Sequence, residues 1–522
     1  MAYGNEWRPK VNPWIIAATM ILPTFMVTLD TSVANVALPY IAGSLSVSPD
    51  EATWVLTVYL VANAIVLPIT GWVSHAMGRR RFLISSIIAF TISSVLSGAA
   101  VSMNMILAAR AIQGATGGAL LPLSQAILLE SFPAGRRGEA MAIFTVGVIV
   151  APVLGPVLGG WITDSYSWRW VFYINMPICL LATFLTILFI EDPPYTRAHA
   201  PKSVDYFGFT LMAVGLGALQ IVLDRGQVDD WFSNSWILTG ALISGICLIG
   251  FIVRELCTDE PIVNLRVLTD RNFAVGVVMV AVYGCILYGS LIRLPLLLED
   301  LMGYTALKSG LATSPRGLGA LISTTITGWL LRKIDGRILI VIGFFILSMA
   351  HFLLGDINLQ VSVYDIVVPN FIMGYATGMI FVPITTIAVG MLPNEMIGTA
   401  TGLYNLMRTM GGSIGIATVD TLLIRGAQLH QAMMVHNFTA YNPAFQKMLH
   451  ELTMIFGTRN DPVTAIRKAY QALYNILLSQ SSMLSFIDNF RLFGYLCLVS
   501  IPMTLFFKGG TKAARQQAHI SE

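Results

Sequence analysis

Long apolar stretches recur along this chain, separated by short polar segments. A helix needs about 20 predominantly apolar residues to cross the hydrocarbon core of a bilayer. Such stretches lie near 14–36, 54–74, 82–101, 105–129, 140–163, 170–190, 206–223, 236–253, 273–297, 309–331, 338–355, 366–391, 398–421 and 490–507. The strands of a transmembrane barrel would instead give short alternating segments. The pattern therefore predicts an all-α polytopic membrane protein with fourteen transmembrane helices.

Composition supports the same class and excludes others. Hydrophobic residues make up 55% of the chain and charged residues 11%, whereas soluble domains contain about 25% charged residues. The five cysteines are scattered without a CxxC pair, so neither a disulfide framework nor a metal site is predicted. The sequence contains no Walker A loop and no soluble segment long enough for a catalytic domain. We therefore expect no cofactor, no metal, no nucleic-acid partner and no enzymatic activity.

Basic residues predict the orientation in the bilayer. If the N-terminus lies inside, the arginine and lysine clusters at 79–81, 136–137 and 332–333 all fall in cytoplasmic segments. The short external loops then hold few basic residues and several acids. Because cytoplasmic loops are enriched in Lys and Arg, we expect both termini in the cytoplasm. The first apolar stretch is long enough to span, so we interpret it as a retained helix rather than a signal peptide.

Residues 425–489 are too polar to span and are predicted to lie outside. Two amphipathic helices are expected there, one with Phe445, Leu449 and Phe456 on a single face and one with Ile466 and Leu473. One interpretation is a lid that packs on its own protein or on the membrane surface. The other is a docking surface for a partner.

Few charged residues fall inside the predicted spans. Besides Arg491 at the edge of the last span, they are Asp30, Arg110, Arg293, Arg316, Arg408 and Asp420. Charges at membrane depth are costly and usually face a cavity or a partner. Asp30 in the first span and Arg110 in the fourth lie at similar depth, so they are predicted to pair. The pair is either a fixed link between two helices or a proton site that opens and closes, because burial and a nearby Arg shift a carboxylate pKa in opposite directions.

The fifth span carries small residues at four-residue spacing, Gly147, Ala151, Gly155 and Gly159. Such a stripe lets two helix backbones approach closely. Pro152 and Pro156 stand beside the stripe and leave backbone carbonyls without helical partners, which favours bending. The stripe is interpreted either as static packing or as a contact between two halves of the protein that rock against each other.

The turn between the second and third spans reads GWVSHAMGRRR, residues 71–81. Its candidate gate residues are Gly71, His75, Gly78 and Arg79. Glycines permit a tight turn and the arginines hold it on the inner face. A simple topology anchor would have a similar sequence.

In order along the chain, five motifs resemble those of the fourteen-span drug:proton antiporter group of the major facilitator superfamily. They are LDTSVANVALPYI at 29–41, RAIQGATGGAL at 110–120, GPVLGG at 155–160, SWRWVFYINMPI at 167–178 and GTATGLYNLMRTMGGSIG at 398–415. The resemblance implies a six-helix bundle in 1–190, two inserted helices in 191–271, and a second six-helix bundle in 272–522 with the external segment 425–489.

The resemblance also implies roles for particular residues. Proton coupling falls to Asp30 and Arg110. The conformational motif of the fifth span comprises Gly147, Gly155, Pro156, Gly159 and Gly160. Candidates for the substrate cavity are Asn35, Gln113, Arg293, Arg316, Asn405 and Arg408. At the gate, His75 stands where the family motif carries an acid, so it either replaces part of a charge latch or is a plain interfacial histidine.

Function and partners follow as expectations. The resemblance implies multidrug efflux from the cytoplasm by alternating access in a bacterial inner membrane, driven by protons, with drug resistance as the phenotype. Four buried arginines against one deep aspartate, with 24 Met and 26 Phe in the chain, favour neutral or weakly acidic amphiphiles over dications. An exporter or importer of one metabolite is the alternative. A periplasmic adaptor (EmrA-like) and an outer-membrane channel are implied partners.

Overall fold

The computed structural model describes residues 9–193, 205–258 and 261–508, and within these ranges the ordered elements are helices. We number the longer helices in chain order. They are α1 (Pro13–Leu45), α2 (Trp54–Met77), α3 (Arg79–Gly98), α4 (Met103–Ser131), α5 (Arg137–Ser165), α6 (Asn175–Phe189), α7 (Tyr206–Arg225), α8 (Ser235–Cys257), α9 (Arg271–Leu296), α10 (Pro315–Leu330), α11 (Gly336–Leu354), α12 (Val363–Ala388), α13 (Asn394–Val435), α14 (Pro443–Gly457) and α15 (Pro462–Ser500).

Local sequence signals set several helix ends. The Asn12 side chain accepts a hydrogen bond from the Trp14 amide at 3.0 Å and caps α1. Asp205 caps α7 in the same way through the Gly208 amide, also at 3.0 Å. Gly78 separates α2 from α3 with φ of +84°, a backbone conformation that suits glycine and disfavours other residues.

Twelve described helices are long and apolar enough to cross a membrane, and the polytopic all-α prediction is confirmed. The other two predicted spans are also helical. The span near 309–331 is divided into Ala306–Thr313 and α10 at Ser314, because Pro315 has no amide hydrogen to donate to the preceding turn. The span near 398–421 lies within the more polar α13.

Helix packing repeats along the chain. In the first part α1 packs on α5, α4 on both α2 and α3, and α3 on α6. In the second part α9 packs on α13, α12 on both α10 and α11, and α11 on α15. The helices α7 and α8 pair with each other between these two sets, and α7 also lies against α2 and α13. This repetition supports two six-helix bundles separated by an inserted helical hairpin.

Two helices are much longer than a bilayer requires. α13 has 42 residues and α15 has 39, which gives about 63 Å and 58 Å at 1.5 Å per residue, against a hydrocarbon core of about 30 Å. The two pack together, with Ser485 donating to the Leu423 carbonyl at 2.9 Å. The prediction of two separate amphipathic helices in 425–489 is therefore corrected: α14 is separate, but the second is the start of the continuous α15. α13 likewise continues beyond the predicted end at 421, because helix–helix contacts support it where hydropathy falls.

Candidate proton-coupling site

Asp30 lies near the middle of α1 and is 1% exposed. Its Oδ2 accepts from Arg110 Nη1 at 2.6 Å. Its Oδ1 accepts from Gln113 Nε2 at 2.8 Å and from Asn175 Nδ2 at 2.6 Å. The structure thus brings together the aspartate and arginine that the sequence predicted to pair, and it surrounds the carboxylate with one charged and two neutral donors. Such charge-assisted hydrogen bonds are short and strong.

Arg110 lies on α4 and is fully buried. Besides Asp30, it donates to Gln113 Oε1 at 2.8 Å and, through Nε, to the Val55 carbonyl at 3.2 Å. Its guanidinium lies 4.2 Å from the ring centroid of Tyr59 on α2, a cation–π distance. These contacts hold the arginine in one orientation toward α1. Gln113, predicted to line the substrate cavity, also belongs to this cluster.

Asn175 is the member of the site that sequence reasoning missed. It begins α6 directly after a short helical turn, Trp170–Tyr173, and it is fully buried. Its Nδ2 also donates to Ser94 Oγ on α3 at 2.9 Å. Asn175 is part of the motif at 167–178. The signal in the sequence was therefore an amide side chain within a motif, on a helix that packs against α1.

Every polar contact that Asp30 makes among the described residues is to a donor. Protonation would remove the negative charge and leave Arg110 buried without its counter-ion. Both earlier interpretations therefore remain: a permanent pair, or a pair that this conformation holds closed and another opens. Within the described residues, no group of three or more His, Cys, Asp or Glu side chains could hold a metal ion.

The fifth-span motif packs on α1, close to this site. A methyl group on Gly155 would lie 2.1 Å from Ser32 Oγ, and one on Gly159 would lie 3.2 Å from Val33. Ser32 donates to the Pro152 carbonyl at 3.1 Å, the carbonyl that would bond the amide of Pro156 if proline had one. The interpretation of this stripe as a contact between two rocking halves is therefore wrong, since the stripe joins two helices of one bundle.

The other residues of the fifth-span motif differ in whether they contact α1. Gly147 also faces α1, at Ile21. Gly160 has nothing within 4 Å of an added methyl group, so it does not belong to the close contact. Pro156 lies inside α5.

The gate turn brings α2 against the second bundle. A methyl group on Gly71 would lie 2.7 Å from the Thr399 Cα on α13, so glycine is needed for this approach. Arg79 is 1% exposed and forms an ion pair with Glu130 at the end of α4. His75 is half-buried in the last turn of α2.

Asp192 supplies an acid to this turn from beyond α6. Its Oδ1 accepts from the Arg80 backbone amide at 2.8 Å, and its Oδ2 lies 2.8 Å from where a methyl group on Gly78 would be. The turn is therefore held by a carboxylate from a different part of the sequence, although the motif itself has His75 where the family carries an acid.

Three polar bridges join the bundles at the end that contains this turn. Arg137 on α5 donates to the Gly390 carbonyl at 2.5 Å and to Asn394 Oδ1 at 2.6 Å. Arg332 forms an ion pair with Glu139. Asn405 Nδ2 donates to Gln125 Oε1 at 2.5 Å, so Asn405, predicted as a cavity residue, bridges α13 and α4. This end of the molecule is closed in the conformation described.

The other predicted cavity residues are dispersed. Asn35 is exposed on α1. Arg316 on α10 is 3% exposed and donates to Ser290 Oγ at 3.1 Å. Arg408 on α13 is equally buried, with its guanidinium 5.5 Å from the ring centroid of Phe381. Arg293 lies in α9, and its side chain is outside the described part of the structure.

Two six-helix bundles, the first with a buried acid–base pair inside it, are typical of a membrane transporter of the two-bundle class. The sequence profile of the Major Facilitator Superfamily matches residues 20–416, and the chain belongs to that superfamily. The solved structure of the proton:xylose symporter XylE, bound to 6-bromo-6-deoxy-D-glucose, superposes with a TM-score of 0.60 at 15% identity, covering 96% of each chain. At that identity the likeness shows the fold alone.

Closer relatives are named for resistance and export. The chain is 36% identical to the multidrug export protein EmrB of Haemophilus influenzae, over 86% of this chain and 88% of that one. It is 37% identical to EmrB of Escherichia coli K12, with coverage of 84% and 85%. It is 36% identical to the fatty acid resistance protein FarB of Neisseria gonorrhoeae, with the same coverage. The prediction of an EmrB-like drug transporter is confirmed.

Proposed function

We propose that this protein is a proton-coupled exporter of hydrophobic and amphipathic compounds that works by alternating access. The observation that carries the proposal is the buried Asp30 carboxylate, held by Arg110 at 2.6 Å inside a bundle of a major facilitator fold. An intramembrane acid of this kind is a functional-site hypothesis by default. Its relatives, named as multidrug export and fatty acid resistance proteins, support the same function.

The coupling step is a proton exchange at Asp30. A proton that enters from outside binds the carboxylate and neutralises it, which removes the charge that Arg110 needs. α1 and α4 then gain freedom to move relative to each other. When the bundles rock and the site faces the cytoplasm, the proton leaves to water and the ion pair re-forms. A ligand or proton shifts such an equilibrium only by its differential affinity for the two states.

The second bundle contains buried positive charge. Arg316 and Arg408 are both buried, and neither forms an ion pair with a carboxylate among the described residues. Buried guanidinium groups without counter-ions repel cationic ligands and attract acidic ones. Neutral or weakly acidic amphiphiles are therefore the expected substrates, in preference to dications.

The protein is a multi-pass membrane protein, and we assign it to a bacterial inner membrane with both termini in the cytoplasm. On this assignment the closed end, with Arg137 and Arg332, faces the cytoplasm. The conformation is then one that is closed toward the cytoplasm. The bundles correspond to 1–190 and 272–522, with 191–271 inserted between them.

On the same assignment α13, α14 and α15 project on the periplasmic side and form the docking site of a periplasmic adaptor linked to an outer-membrane channel. A groove of about 390 Å³ runs between α14 and the start of α15. Its lining is mixed, with apolar Phe445, Leu449, Ile466 and Tyr470 beside polar Gln446, His450 and Thr453. Site-specific cross-linking from residues 440–480 to a co-expressed adaptor would test this. Cross-links confined to the chain itself would contradict it.

The transport proposal is tested with purified protein in proteoliposomes. A pH gradient should drive accumulation of a fluorescent amphiphile, and substrate should provoke proton movement. Asp30→Asn should abolish both. Asp164→Asn is the matched control, because Asp164 is an acid at the end of α5 that accepts from Tyr40 at 2.5 Å, away from the site, and it should retain coupling. Full coupled transport by Asp30→Asn would remove Asp30 from the mechanism.

A further inference from the structure

Asn175 ties the coupling carboxylate to two further helices. It donates to Asp30 at 2.6 Å and to Ser94 at 2.9 Å, and Ser94 in turn donates to the Phe172 carbonyl at 2.8 Å. All four residues are buried. The carboxylate on α1 is therefore linked through one amide to α3, to the start of α6 and to the turn before α6.

The same amide has an unused acceptor. Asn175 Oδ1 is buried and has no hydrogen-bond partner among the residues that the structure describes. The amide cannot be oriented the other way around an ionised carboxylate, since its oxygen would then face Asp30 Oδ1 at 2.6 Å and repel it. A buried acceptor without a donor is costly, and in a native site it requires an explanation.

We propose that Asn175 is a positioning residue that serves both protonation states of Asp30, an inference that rests on the proposed function. In the ionised state its Nδ2 donates to the carboxylate, as seen here. When Asp30 is protonated, the carboxyl group becomes a donor. The amide then rotates by about half a turn, and Oδ1 accepts the Asp30 hydroxyl hydrogen. The Ser94 hydroxyl then exchanges its bond to the Phe172 carbonyl for one to Oδ1.

Gln113 is not equivalent to Asn175. Its Nε2 also donates to Asp30, but its Oε1 already accepts from Arg110 at 2.8 Å. Rotation of the Gln113 amide would turn an N–H group toward the guanidinium and break that bond. Of the two amides that contact Asp30, Asn175 has the free acceptor and Gln113 has none.

The test follows Asp30 itself by pH-dependent difference infrared spectroscopy on the purified full-length protein, with isotope labelling of asparagine side chains. The other titratable or charged groups facing Asp30 are Arg110 from α4, Tyr59 from α2 and Cys179 from α6. The ordinary pKa values of these side chains are above about 8, whereas that of a carboxyl group is about 4, so a carboxyl signal can be told apart from theirs.

Asn175→Leu removes the hydrogen bond that Nδ2 donates to the ionised Asp30 carboxylate. It also removes the weaker bond that Oδ1 would accept from the protonated Asp30 carboxyl group. Because hydrogen bonds to charged groups are roughly twice as strong, the titration midpoint of Asp30 should rise by about one pH unit. The amide band change of wild type should disappear. Ser94→Ala should shift the midpoint the same way by less. Asn370→Leu is the matched control, since Asn370 is a buried asparagine that bonds its own helix at Ile366, at 2.8 Å.

Each outcome decides something different. An unchanged midpoint in Asn175→Leu, or a wild-type titration without an amide band change, would overturn the role of Asn175. If Asn175→Leu is not monodisperse, Ser94→Ala carries the test alone, and no shift in it would overturn the inference. A wild-type Asp30 that never titrates would overturn the inference together with the coupling mechanism. A titrating Asp30 in a protein that does not transport would instead refute the proposed function.

Discussion

Replacing Asp30 by asparagine is the sharpest perturbation of this structure. The carboxylate receives three donors, from Arg110, Gln113 and Asn175. An asparagine offers one oxygen in place of two. If that oxygen faces the two amides, its own Nδ2 faces Arg110 Nη1, so two donors meet and the guanidinium loses its counter-ion in a site closed to solvent.

The magnitude follows from the burial of both partners. Removing one member of a buried ion pair costs about 3–5 kcal/mol, because the other charge remains without compensation. We expect this loss for Asp30→Asn. Arg110→Gln should cost about 3 kcal/mol, at the lower end, because the carboxylate keeps Gln113 and Asn175 as donors. The double variant buries no charge, so it should fall within about 1–2 kcal/mol of wild type.

The assay is a double-mutant cycle on detergent-purified protein, with unfolding free energies from sodium dodecyl sulfate titrations followed by circular dichroism. Wild type, Asp30→Asn, Arg110→Gln and the double variant should show a coupling energy of about 3 kcal/mol or more. Transport in proteoliposomes should stay absent in the double variant although its stability recovers. Losses that simply add would show that neither charge depends on the other, and the ion-pair reasoning would be refuted.

Two further predictions concern the bridges and close contacts. Arg137→Gln removes two hydrogen bonds that a charged donor makes between the bundles, worth about 3 kcal/mol together. Spin labels placed across the closed end should therefore report a larger fraction of molecules in which the two bundles are separated. Arg136→Gln, at an exposed neighbouring position, should leave these distances unchanged. Gly155→Ala places a methyl group 2.1 Å from Ser32 Oγ and should lower thermal stability and transport. Gly160→Ala meets nothing within 4 Å and should resemble wild type. Equal effects within either pair would contradict the packing described.

The depth of charged residues could be predicted from the sequence, but their azimuth around each helix could not. Asp30 and Arg110 were expected to pair because a fixed rise per residue gives the depth of each in its span. Asn175 was not recognised, because its position depends on the break between Tyr173 and α6 and on how far that helix is rotated. The contacts of Gln113 with Asp30 and Arg110 were not predicted for the same reason.

Hydropathy also predicted where helices cross the membrane better than where they end. α13 and α15 continue as helices well past the apolar stretch, since their contacts with each other replace the contacts with lipid. In α5 the spacing of small residues indicated a close helix contact correctly. It could not say which helix makes that contact, because a stripe of glycines carries no information about its partner.

The position of α5 provides a path by which protonation of Asp30 would affect the second bundle. Asp30 bonds within its own bundle, to α4 and α6, so no described hydrogen bond or ion pair carries its charge state directly to the second bundle. Ser32, two residues later on α1, bonds the Pro152 carbonyl of α5. The other end of α5 holds Glu139, which pairs with Arg332 of the second bundle. A shift of α1 after protonation would therefore displace α5 near Pro152, where the helix bends readily. That displacement would strain the Glu139–Arg332 ion pair, which helps to keep the far end closed.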